Sequence, residues 1–93
     1  MEFPVCKFVK TASITEQWQH VRSEAMEVQM ALVDLDAMGT FCKACKVVEE
    51  LADLRHSAET LALIIQREYP GIELDTAEVD VIQKNDARCY YED

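Results

Sequence analysis

The sequence predicts an all-α fold, a helical hairpin followed by a third helix, with a four-helix-type bundle completed by oligomerisation. Three observations lead there. The chain is 49% hydrophobic and rich in helix formers, with only two Gly and two Pro in 93 residues, which favours long helices and few loops. Apolar residues recur at alternating steps of three and four in two long stretches, the period of a helix face. Helix-stopping residues stand between the periodic stretches, at Gly39 and at Pro70-Gly71.

The first twelve residues carry Pro4 and scattered hydrophobics without a period, and read as an extended N-terminal arm (1–12). Ser13-Ile14-Thr15-Glu16 then has the form of a capping box, with Ser13 accepting from the amide of Glu16 and Glu16 reaching back. The first helix follows with a seam of Ile14, Trp18, Val21, Ala25, Val28, Leu32 and Leu35, ending near Met38-Gly39. A second seam, Val47, Leu51, Leu54, Ala58, Leu61 and Ile65, runs to Pro70-Gly71. Asp75, with Glu78 three residues on, is expected to cap a third helix that turns Val79 and Ile82 inward and ends at about Arg88. A polar tail, 90–93, closes the chain. With no repeat or linker, residues 1–93 form one domain. A domain of this size buries proportionally little of its surface, so a homodimer or homotetramer is expected to complete the core.

Eighteen acidic against nine basic residues give a formal charge of -9. That charge argues against polymeric nucleic acid and anionic membranes as partners. A nucleotide remains compatible, because carboxylates that recruit divalent cations present positive charge to phosphates. No apolar run approaches the roughly 20 residues of a bilayer span, and the N-terminus lacks a basic-then-apolar leader pattern. The expectation is a cytoplasmic protein whose cysteines stay reduced.

Glu24 and Glu27 are three apart on the first helix, and Glu50 and Asp53 three apart on the second, so each pair shares a face beside its seam. Glu24 lies 15 residues before Gly39 and Asp53 lies 14 after it; Glu27 and Glu50 lie 12 before and 11 after. An antiparallel hairpin therefore brings four carboxylates to one level, about 22 Å from the turn for the outer two. Like charges held so close repel unless protonated or neutralised by a cation, and an all-oxygen set suits Mg²⁺ or Mn²⁺ rather than zinc. Such ions can hold a triphosphate and lower the pKa of an attacking water. By spacing alone, the same residues serve equally well as solvated helix faces.

The residues carrying these carboxylates resemble the MazG-like, all-alpha nucleoside triphosphate pyrophosphohydrolase superfamily, whose signature is E-E-x-x-E, a spacer, then E-x-x-D. Here it reads Ser23-Glu24-Ala25-Met26-Glu27, a 22-residue spacer, and Glu50-Leu51-Ala52-Asp53. The segment Lys84-Asn85-Asp86-Ala87-Arg88-Cys89-Tyr90-Tyr91 is similar to the K-N-x-x-R-G-Y-Y ending of short, phage-type members. The resemblance spans about residues 14–91, with Ser23 in place of the first Glu and Cys89 where Gly is common.

The resemblance implies Mg²⁺-dependent cleavage of a nucleoside or deoxynucleoside triphosphate between the α and β phosphates, giving monophosphate and pyrophosphate. Glu24, Glu27, Glu50 and Asp53 would be the metal-binding and catalytic set, with the general base open among the Glu residues. Lys84, Asn85, Arg88 and Tyr91 form one polar stripe if the last helix continues; Lys84 and Arg88 suit phosphate oxygens and Asn85 a sugar or base edge. His20, on the stripe of Glu24 and Glu27, would touch the nucleotide at the mouth of the site or stand as a surface histidine. Trp18 is assigned to the core, with base stacking the alternative. A rival reading is a non-enzymatic helical interaction protein with a structural zinc on Cys6, Cys42, Cys45 and Cys89. Against it, Cys42 and Cys45 form a C-x-x-C with no second knuckle, and buried or idle thiols fit better.

Overall fold

The order of elements in the computed structural model is a short 3₁₀ turn, Lys7–Lys10, then α1 (Ile14–Met38), α2 (Phe41–Glu68) and α3 (Leu74–Ala87). The structure describes residues 3–92; Met1 and Glu2 of the expected arm and Asp93 of the tail lie outside the described residues. Local sequence sets each boundary of the hairpin. The Ser13 Oγ accepts from the Glu16 amide at 3.0 Å, and Glu16 Oε1 accepts from the Ser13 amide at 3.2 Å. These bonds hold the Glu16 carboxyl below the ordinary glutamate range. α1 ends where Gly39 turns left-handed, at φ 59°, and donates its N–H to the Leu35 carbonyl. Thr40 then caps α2 through its Oγ1, which accepts from the Lys43 amide at 3.2 Å.

α1 and α2 pack along their length through half of the expected seam, Val21, Val28, Leu35, Val47, Leu54 and Leu61, while the positions between them are shifted by one residue. On α1 the buried positions are Gln17, Val21, Val28 and Ala31, with Glu24 and Leu35 half-buried between and after them. On α2 they are Val47, Glu50, Ser57, Thr60 and Ile64, with Leu54 and Leu61 half-buried. Trp18, expected in the core, is 51% exposed, and Leu32, Ala25, Leu51 and Ala58 are exposed as well. Each helix carries two adjacent columns of helical period. The hairpin closes through the smaller, more polar one, where Gln17 Nε2 donates to the Ser57 carbonyl at 3.0 Å and Ala31 allows close approach. The bulkier column is left on the flank.

The arm is strapped to α2 instead of hanging free. Arg67 donates to the carbonyls of Val9 at 2.7 Å and Ala12 at 2.9 Å. His56 Nε2 donates to the Pro4 carbonyl at 3.2 Å, and Phe3 stacks on the His56 ring with centroids 4.6 Å apart.

α3 departs from expectation in two ways. Its N-cap is Glu73, without a side-chain bond to the helix, not Asp75; Thr76 Oγ1 instead donates to Glu73 Oε2 at 3.0 Å. Val79 and Ile82 do not turn inward but are 49% and 56% exposed, because α3 makes no extended interface with α1 or α2. It leaves the hairpin at Pro70-Gly71, giving principal extents of 46 × 39 × 22 Å. The chain exposes 7524 Å² for its 10.6 kDa, against about 5500 Å² for a compact monomer of that mass. Its radius of gyration is 15.9 Å, against about 12 Å for a compact chain of this length. Among the described residues, no helix is long and apolar enough to cross a membrane.

Candidate metal centre

The shift of the hairpin seam moves two carboxylates from beside the core into it. Glu24 and Glu50 occupy seam positions, with side chains only 14% and 9% exposed. Glu27, one turn after Glu24, stands exposed at the rim. One carboxylate oxygen from each of Glu24, Glu27 and Glu50 lies within 4.8 Å of the others. These three form the one group of metal-ligating side chains of that kind among the described residues.

Their partners are few. Lys46, one turn before Glu50 on α2, places its Nζ 2.8 Å from Glu50 Oε1. His20, one turn before Glu24 on α1, places its Nε2 3.3 Å from Glu24 Oε1. The second oxygens, Glu24 Oε2 and Glu50 Oε2, are buried with no hydrogen-bond partner. Burying a carboxylate oxygen without a donor is costly, so the arrangement leaves two acceptors turned into one small space.

Charge within the group is correspondingly uneven. The bond from Lys46 holds the Glu50 carboxyl below its ordinary range despite burial, and Glu50 in turn raises Lys46. Glu27 is pushed the other way, first by the charge of Glu24 and then by sharing a proton with Glu50. Three carboxylates with one lysine and one histidine form an acceptor set that lacks positive charge. Hard divalent cations match that deficit, and the all-oxygen donors are of the type that Mg²⁺ and Mn²⁺ take.

Asp53, the fourth expected ligand, lies outside this group; it is exposed one turn along α2, and its charge is felt at Lys46. Lys84 and Arg88 are exposed on α3, and Asn85 Nδ2 donates weakly to the Tyr91 hydroxyl at 3.5 Å. Lys84 and Asn85 belong to α3, and Arg88 and Tyr91 follow it; α3 makes no extended interface with the hairpin, so the chain by itself does not bring these residues to the glutamates. Cys42, Cys45 and Cys89 are exposed and Cys6 is half-buried; all are free thiols, and none joins a metal-ligating group among the described residues.

The sequence reading missed two features. Lys46 was legible as an i, i+4 partner of Glu50. His56 had no local signal, because its role comes from the arm crossing over it. Beneath the arm, Cys6, Phe8, Gln17, His20, His56, Ser57 and Thr60 line a cavity of about 100 Å³ that adjoins the glutamates through His20. Comparison with protein-family models, with curated proteins and with solved structures finds no match for this chain.

Proposed function

We propose that the chain is a Mg²⁺-dependent nucleoside or deoxynucleoside triphosphate pyrophosphohydrolase of the MazG-like, all-alpha type, acting on the cytoplasmic nucleotide pool as a homodimer or homotetramer. The observation that carries this reading is the placement of Glu24 and Glu50 in the helix seam, each with a buried oxygen lacking a donor. A solvated helix face has no reason to bury carboxylates beside one another. The two pairs of the E-x-x-E and E-x-x-D pattern supply the three clustered residues, three of the four that the motif resemblance implies.

Glu24, Glu27 and Glu50 would hold the cation, with Asp53 at the edge for a second ligand position. Mg²⁺ bound there supplies charge neutralisation for the phosphates and acidifies a coordinated water. The protein's own part is positional. Lys46 keeps Glu50 ionised, His20 stands against Glu24 Oε1, and the α1–α2 seam holds both carboxylates on rigid elements. Lys84 and Arg88 are the phosphate-binding cations, and Asn85 and Tyr91 the neighbouring polar contacts.

The self-association in this reading is supported by area. The chain's surface exceeds that of a compact monomer by about 2000 Å², more than the roughly 800 Å² per partner of an ordinary stable interface. The function is tested with a panel of (d)NTPs, Mg²⁺ and pyrophosphate detection. Wild-type protein should release pyrophosphate and Glu50→Gln should lose most of that turnover while remaining folded. Equal turnover in the two proteins would remove the metal assignment.

A further inference from the structure

We propose that Cys42 and Cys45 form a redox-active dithiol at the start of α2, a site of reversible thiol–disulfide exchange with small-molecule disulfides of the glutathione class. The pair lies outside the glutamate cluster, and the proposal does not depend on the hydrolase reading.

The segment Cys42-Lys43-Ala44-Cys45 falls directly after the Thr40 cap, in the first turns of α2. The bonds that start the helix run from the Lys43 amide to Thr40 Oγ1 at 3.2 Å and from the Ala44 amide to the Thr40 carbonyl at 3.0 Å. They bring both cysteines into helical register. Residues three apart on a helix share a face, with Cβ atoms about 5–6 Å apart. A disulfide takes a Cβ separation of about 3.5–4.5 Å, so closure asks for an approach of about 1–2 Å. The first turn supplies it more readily than a helix interior, because its leading amides have no intrahelical acceptors to lose. The product is exposed and mildly strained, and disulfides of that kind are the labile, reversible ones.

Exposure separates this pair from the other thiols. Cys42 and Cys45 are both exposed free thiols, whereas Cys6 is half-buried and lines the cavity beneath the arm with Ser57 and Thr60. Ser57 lies 12 residues beyond Cys45, about 18 Å along α2, so Cys6 does not reach the pair. Cys89 is exposed after the end of α3 and has no cysteine within a helical turn of it in sequence.

Position also assigns an order to the two sulfurs. In a chain of formal charge -9, the first turn of α2 holds no acidic residue. Cys42 stands nearer the positive end of the helix dipole, with Lys46 one turn further on, whereas Cys45 has Glu49 one turn further on. Cys42 is therefore the attacking sulfur and Cys45 the resolving one. In the first step Cys42, having given its proton to water, attacks one sulfur of the small disulfide. That S–S bond breaks, one small thiol leaves and takes up a proton, and a mixed disulfide remains on Cys42. In the second step Cys45 attacks the Cys42 sulfur, the Cys42–Cys45 bond forms, and the second small thiol leaves with the proton that Cys45 releases. The protein loses two electrons and the small disulfide becomes two thiols; an excess of that thiol reverses the sequence.

The test treats the reduced protein with oxidised glutathione, quenches with acid, alkylates the remaining thiols and digests with trypsin. Cleavage after Lys43 separates the two cysteines, so their disulfide appears in the mass spectrum as peptides 23–43 and 44–46 joined to each other. Cys89 is the internal reference for an exposed thiol without a neighbour. The joined peptides are expected, from protein that runs as a single chain on a non-reducing gel. Glutathione adduct on Cys42 should be about tenfold or more below that on Cys89, because the neighbouring thiol displaces it at an effective concentration of about mM or above. Cys45→Ser should trap the adduct on Cys42 at the level of Cys89 or higher, and excess reduced glutathione should reopen the wild-type disulfide. Adducts on Cys42 and Cys45 matching that on Cys89, no reaction at the pair while Cys89 reacts, or joined peptides arising only from a covalent dimer would each overturn the proposal.

Discussion

Replacing Glu24 by leucine should make the protein more stable and abolish its response to divalent cations. Glu24 stands at a seam position with its side chain 14% exposed and its Oε2 buried without a donor. A leucine there gains about 1.5–3 kcal/mol if fully buried, reduced to about 1–2 kcal/mol by incomplete burial and a compact denatured state. Removing the unsatisfied oxygen adds about 1–3 kcal/mol, and imperfect packing of the new side chain takes back about 1 kcal/mol. The lost contact with His20, whose side chain is 57% exposed, is a surface pair of little weight. The net gain is about 1–4 kcal/mol, or a rise in Tm of roughly 5–25 °C for a domain of this size. Thermal melts followed at 222 nm, in EDTA and in Mn²⁺ at one fixed protein concentration, measure both effects. Wild type should gain about 2.7 kcal/mol at a cation concentration 100 times Kd, whereas Glu24→Leu should melt higher in EDTA and ignore Mn²⁺. A variant that melts below wild type in EDTA, or that keeps the cation response, would refute the reasoning.

Three further outcomes are expected. Cys89 has φ 59° at the end of α3, where the Tyr90 amide bonds the Asn85 carbonyl and the Cys89 amide that of Asp86; this is a Schellman closure that favours glycine. Cys89→Gly should raise stability by about 0.5–1 kcal/mol after the entropy of the unfolded glycine is counted, and Cys89→Ala should not; equal denaturation midpoints for all three proteins would count against the strain. Glu16, whose carboxyl is held low by Ser13, contributes stability that is present above the unfolded carboxylate pKa and lost as pH falls through the lower folded value. Glu16→Gln should therefore flatten that acid limb of the pH–stability curve, and an unchanged limb would remove the cap from the account. Arg67→Ala should free the arm from α2, seen as faster proteolysis within residues 3–12 while the helical circular dichroism signal stays intact; unchanged cleavage would show that the contacts at Phe3 and Pro4 hold the arm without Arg67.

Features ruled by local chemistry were legible in the sequence. The Ser13–Glu16 box, the left-handed Gly39 and the stop at Pro70-Gly71 depend on a few adjacent residues, and the structure places them as expected. The equal distances from Gly39 brought Glu24, Glu27 and Glu50 together because a two-residue connection preserves level.

The phase of the seam was not legible in the same way. The column of Trp18, Ala25 and Leu32 is more apolar than that of Gln17, Glu24 and Ala31, so hydrophobic periodicity chose the former. The missed signal was pairing: Gln17 and Ala31 on α1 match Ser57 and Thr60 on α2 as small or hydrogen-bonding partners. The same one-residue shift left Asp53 outside the cluster while drawing Glu50 in. α3 and the arm were beyond the reach of local rules, because their environment is set by surfaces distant in sequence.

The central claim is that the three glutamates serve cleavage of a triphosphate between its α and β phosphates. It is tested most directly by ³¹P NMR of a (d)NTP panel incubated with the protein and Mg²⁺. The account predicts nucleoside monophosphate and pyrophosphate as the first products, abolished by EDTA and by Glu50→Gln. Nucleoside diphosphate with inorganic phosphate, or no product from the folded, cation-loaded protein with any nucleotide, would contradict it.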